Sequence, residues 1–462
     1  MSDTKCKVFK VLSPTAILGY GFPLESFALG MKEKPDLIAV DGGSSDPGPH
    51  YLGSGKSFTD REGVKRDLEI MIEAGLSAGI PVVVGTAGGS GAEPHLNWCT
   101  DIVREIAANH NWSFKIGLIS GDVSADTVKK ALKENRIYPL DHEITLTEEG
   151  ISQSTHIVAQ MGMEPFMKAH GQGCQVILAG RAYDPSPFAA LAVMKGFDKG
   201  FALHMGKILE CAAIAANPGS GSDCALGILD ENGFILKPLS SERKFTRVSV
   251  AAHSLYEKAD PYHLHGPGGT LNLEHCTFTE LGNGEVRVGG TVFEPSERPA
   301  VKLEGASLAG FRTISIAGTR DPVLIESIDA VLDEVKKRVQ SFFPQLDITN
   351  RLHISVYGAS GVMGALEPEK RKGHELGLLM EAMGDSQEEA DTLCSLFRST
   401  LLHYGYDGRI ATAGNLAFPF SPSDISAGEV YRFSIYHLME TSDENLFPLI
   451  CENIDGGKNG TD

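Results

Sequence analysis

The chain has 462 residues, 42% hydrophobic and 22% charged, the proportions of an ordinary folded protein with material for two or three domains. Asp and Glu outnumber Lys and Arg by 60 to 41, and the formal net charge of -19 argues against nucleic acid or an anionic membrane as partner. No apolar run approaches the roughly 18 residues of a membrane span, residues 1–7 lack the apolar core of a signal peptide, and eight scattered cysteines without a Cys-x-x-Cys pair read as reduced thiols in a cytoplasmic protein.

Strands and helices alternate through the first half. Residues 7–12 are the first predicted strand. Residues 36–40 are the second, an apolar run of the kind buried on both sheet faces, and it empties into Asp41-Gly-Gly-Ser-Ser-Asp-Pro-Gly-Pro49. Asp60 starts a helix carrying Val64, Leu68, Met71, Ile72 and Leu76 on one side. Residues 80–84 form a buried strand that ends in Gly85-Thr-Ala-Gly-Gly-Ser-Gly91, followed by a helix over residues 93–108. A strand over 114–119, a helix capped by Ser124 and a strand over 176–179 continue the pattern, with helices after Pro187 and over 203–216. Repeated strand–loop–helix units predict an α/β fold, a doubly wound, mostly parallel sheet over residues 1–218. From residue 219 the composition shifts to short β-like runs, a long amphipathic helix over 323–342, a strand over 353–357 and a helix over 388–403. A second, α+β domain over 219–450 and a disordered tail over 451–462 are therefore expected.

The common site motifs fail on single residues. Gly55-Lys56-Ser57 suggests a P-loop, but the first glycine falls on His50, and no strand–helix junction carries the dinucleotide fingerprint. Ser90 lacks the second glycine of a nucleophile elbow, since Ala92 stands there. No nicotinamide or P-loop nucleotide is expected, and a metal stays open.

What remains is loops at predicted strand ends, where open α/β sheets place their sites. Ser44, Ser45, Gly88, Gly89 and Ser90 offer hydroxyls and amides to an anionic substrate, and Arg181 offers a two-point guanidinium clamp. Asp46 and Asp184 are candidate proton carriers on stiff loops. His263 and His265 alternate, so an extended segment points both one way, toward acid/base work or a metal. His204 and Cys211 share a helical face and read as core, Glu210 reads as a solvated charge, and His95 is open either way.

The loops at Asp41, Gly85, Ile119-Ser-Gly-Asp122 and Gly180-Arg-Ala-Tyr-Asp184, with Pro261-Tyr-His-Leu-His-Gly-Pro-Gly-Gly269, resemble the acyclic terpene utilisation AtuA family over residues 8–440. A ferredoxin-like C-terminal extension, which some members carry, is not matched. The resemblance implies a link to catabolism of branched or unsaturated acyl compounds and brings no assigned catalytic residue. The expected function is a lyase- or hydratase-type enzyme moving a proton next to the carbonyl of a small carboxylate or acyl thioester, in a homo-oligomer. The alternatives are a non-catalytic subunit that binds an acyl ligand or a partner, and a hydrolase using Ser44, Ser45 or Ser90.

Overall fold

The computed structural model describes residues 7–140, 144–410, 412–441, 443 and 445–457. The chain forms two compact units, one built from the sequence up to Ser307 and from Phe433 onward, the other from Leu308–Arg432. The boundary expected at residue 219 falls inside the first unit.

The first unit is organised on a ten-stranded sheet among the described residues. Its centre is parallel, in the order Phe9–Ser13, Leu37–Asp41, Val82–Gly85, Val176–Ala179 and Ser113–Ile119. The strands read as apolar runs because both faces are covered. Leu37, Ala39, Val83, Ile177 and Ala179 enter one core with the helices Glu164–Gly171, Ser186–Met194 and Lys199–Leu209. Ile38, Val40, Val82, Val84, Val176 and Leu178 enter the other, against the helices Arg61–Ala78 and Glu93–His110. Local capping sets the helix starts, as Asp60 accepts hydrogen bonds from the Glu62 and Gly63 amides and Ser124 from the Thr127 amide.

The unit has the expected α/β fold, and antiparallel flanks on both sides of its parallel centre make the large sheet mixed. Ala225–Asp230 pairs antiparallel with Phe9–Ser13 and then with Gly233–Pro238 across a two-residue turn, a connection too short for a parallel crossover. On the opposite edge Leu449–Asp455 pairs antiparallel with Ser113–Ile119. Residues 451–455 of the expected tail are therefore ladder-paired, and 458–462 lie outside the described residues. Still in the first unit, residues 303–307 pair with residues 154–159, and Glu304 on this strand meets Arg181 in the loop after Val176–Ala179.

The second unit is α+β. Residues 311–319 pair with Leu376–Gly384, which pairs with Leu352–Tyr357, and the helices Pro322–Phe342 and Gln387–Leu402 share their core. Among the described residues no helix is long and apolar enough to cross a membrane.

Candidate functional site

The carboxyl ends of the central strands deliver their loops to one side of the first unit. There a cavity of about 510 Å3 is lined by Asp46, Tyr183, Asp184, Lys207, Glu210 and His265. Lys258, Lys302, Arg298 and Tyr436 complete its polar wall. A smaller cavity of about 170 Å3 shares Asp46, Asp184 and Glu210 with the first and adds Asp41, Ser44 and Cys211.

Arg181 is almost fully buried, and the protein itself uses its donors. Nε donates to Glu304 Oε2 at 2.6 Å, while Nη1 donates to Asp184 Oδ1 at 3.1 Å and to the Ala182 carbonyl at 3.0 Å. Glu304 is fully buried and also accepts from Ser45 Oγ at 2.7 Å and Lys302 Nζ at 2.8 Å. Burial raises its proton affinity, but Arg181 and Lys302 outweigh that and hold the carboxyl at about 2. Arg181, expected as a substrate clamp, lines the larger cavity and is also the centre of an internal ion network that holds Asp184 beside it.

Glu210 is not the solvated charge its spacing suggests. It stands at the C-cap position of the helix Lys199–Leu209, is 4% exposed and forms a short ion pair with Lys207. Its Oε2 has no hydrogen-bond partner. Burial pushes the carboxyl up to about 7, with the Asp184 charge adding to it and the Lys207 ammonium opposing. Lys207 is held well above the ordinary lysine range, because Glu210 outweighs the burial that alone would lower it. Asp41, at the end of its strand, is also buried with an unpartnered Oδ1. Burial, then Asp184 and Glu210, raise its carboxyl well above the usual range.

The expected histidine pair separates. His265 lines the cavity and its Nδ1 lies 2.9 Å from Thr270 Oγ1, whereas His263 faces Asp260 at 3.5 Å and lines neither cavity. Asp46 accepts from Ser44 Oγ at 2.7 Å, so neither Ser44 nor Ser45 is bonded to a histidine. His204 is a core residue between Thr291 and Ser254. His95 is another, its Nε2 lying 3.1 Å from the Tyr51 and Lys56 carbonyls, and burial pushes it down to about 4.

Gly88, Gly89 and Ser90 line neither cavity. Their loop packs inward, and a Cβ on Gly89 would lie 2.8 Å from the Phe58 ring. The Glu93 amide, at the helix start where an anion was expected, donates to the Asp122 carboxylate, which burial raises to about 7. Gly91 has φ +69° and a Cβ there would lie 2.3 Å from the Arg181 amide nitrogen. Gly91→Ala should therefore cost about 1–3 kcal/mol through overpacking and backbone strain. A thermal melt checks this, and an unchanged midpoint would show that the loop yields.

Glu210, Lys207, Lys258, Lys302 and Glu304 were missed as site residues. The available signals were the three-residue spacing of Lys207 and Glu210 and the alternation of Lys302 and Glu304, which puts both on one strand face. Among the described residues no group of three or more His, Cys, Asp or Glu side chains has a metal-holding arrangement.

A family model described as acyclic terpene utilisation family protein AtuA matches residues 61–413. The match takes in the cavity residues from Tyr183 to Lys302 and begins after the Asp46 loop. No curated protein and no solved structure matches the chain.

Proposed function

The chain belongs to the acyclic terpene utilisation AtuA family, and we propose that its cavity is the active site of an enzyme that moves a proton next to the carbonyl of a small acid or acyl compound. One observation carries this reading: a buried carboxyl, Glu210, has one oxygen unpartnered at the cavity wall beside an ammonium, and its burial pushes it up to about 7. A base poised near the working pH combines adequate ionisation with adequate strength. Ionised Glu210 removes the proton α to the carbonyl. The Lys207 ammonium and the Tyr183 hydroxyl face the same space and stabilise the charge that develops on the carbonyl oxygen. Lys302 and Arg298 offer positive charge to the acid end of the substrate, and His265 on the same wall is placed to assist a departing hydroxyl.

The test uses purified protein alone with branched β-hydroxy and α,β-unsaturated acids, free and as thioesters. Hydration or elimination is followed by ultraviolet absorbance, and α-proton exchange in D2O by NMR. Turnover or exchange of at least one compound is expected. Neither, from correctly folded protein, would overturn the reading in favour of a non-catalytic ligand-binding subunit.

A further inference from the structure

We propose that Lys258 is a carbonyl-capturing amine and that the substrates of this cavity include a ketone or aldehyde held as an imine. The proposal deepens the reading above and rests on its placement of the reacting carbonyl.

The lysines of the cavity are not equivalent. Lys207 is paired with Glu210 and Lys302 with Glu304, whereas the Lys258 ammonium has no hydrogen bond or ion pair with any described residue. It sits 5.5 Å from the centre of the Tyr183 ring, half-buried, on the segment that follows the helix Arg247–Ser254. Burial and the neighbouring Lys207 ammonium hold it below the ordinary lysine range, against the pull of Glu210, Asp184 and Glu257. Partial desolvation beside a second cation is how a lysine gains the free-amine fraction that nucleophilic attack needs. An anion-binding lysine would instead be kept charged by a close carboxylate, as Lys207 and Lys302 are.

The step balances without a co-reactant. The nitrogen lone pair forms a C–N bond to the carbonyl carbon while the C=O π pair moves to oxygen. The two protons that nitrogen sheds, counted from the ammonium, leave on that oxygen as water when the C–O bond breaks. An iminium remains, and its α-proton is more acidic than that of the parent carbonyl. Ionised Glu210, on the same cavity wall, is the base that takes it.

The experiment incubates the full chain with acetoacetate, and separately with acetone, in the presence of cyanoborohydride, and maps the product by peptide mass spectrometry. One reduced adduct per chain is expected at Lys258, absent without reductant and lost in Lys258→Ala and Lys258→Arg. Lys258 makes no hydrogen bond or ion pair among the described residues that folding would lose, and Lys258→Arg keeps a cation for the Tyr183 ring. No adduct, or labelling spread over exposed lysines in proportion to accessibility, would overturn the proposal, as would wild-type α-proton exchange of acetoacetate in Lys258→Arg, which keeps the charge but forms no imine. The two readings fail separately. Exchange of thioester substrates without trapping sinks the imine alone, and trapping without exchange of any compound supports the imine and sinks the proton transfer.

Discussion

Glu304→Ala is expected to destabilise the protein by about 3–5 kcal/mol, the effect of leaving a buried charge without its partner. Arg181 would keep only Asp184 among its carboxylates, and Lys302 and Ser45 would lose their acceptor. Glu304→Gln should recover little, because an amide does not neutralise a buried guanidinium. The double variant Glu304→Ala with Arg181→Met removes both charges and should be more stable than Glu304→Ala. Denaturant midpoints at constant slope give the measurement. The pH dependence follows from the depressed carboxyl. Glu304 is held at about 2, below its unfolded value, so its stabilisation is present above the unfolded value and is lost as the pH falls through about 2. The gap between wild type and Glu304→Gln should close across that acid range. An unchanged midpoint at neutral pH would show that the network adds no stability.

Glu210→Gln is expected to lower kcat by about 10²–10⁴-fold with substrate affinity nearly intact, the range for loss of a general base. The substitution preserves shape and leaves an oxygen to accept from Lys207, so a melt on the same sample separates chemistry from folding. In the wild type the rate should rise with pH through about 7 and then level, because burial raises the Glu210 carboxyl and only its ionised form takes a proton. A flat profile through that range, or full activity in the folded variant, would remove Glu210 from the reaction.

Neighbouring residues alone fixed the frame. Three or four consecutive apolar residues, as in Val82–Gly85 and Val176–Ala179, become central strands because no exposed face could accept them. Asp60 and Ser124 start helices by bonding amides two or three residues ahead. The convergence of the Asp46 and Asp184 loops follows from parallel pairing, which puts every strand's carboxyl end on one side. The antiparallel flanks were less visible, since edge strands such as Thr277–Gly282 carry a weak apolar pattern.

Charge pairing was decided only in three dimensions. Arg181 presents the same side chain whether it meets a substrate or Glu304, and the partner lies 123 positions away on a strand brought in by residues 154–159. Glu210 looks solvated at helical spacing and keeps helical backbone angles, but the helix is buried continuously from Ala202 to Leu209, so no face of it is left for solvent. Burial then shifts its proton affinity, and burial depends on what the whole fold stacks above it. Lys207, Lys258 and Lys302 are alike in sequence, and only the packed structure leaves the second without a carboxylate at ion-pair distance. A residue's type and local pattern set which charges a loop can offer, whereas long-range packing sets which of them are neutralised, desolvated or left facing a cavity.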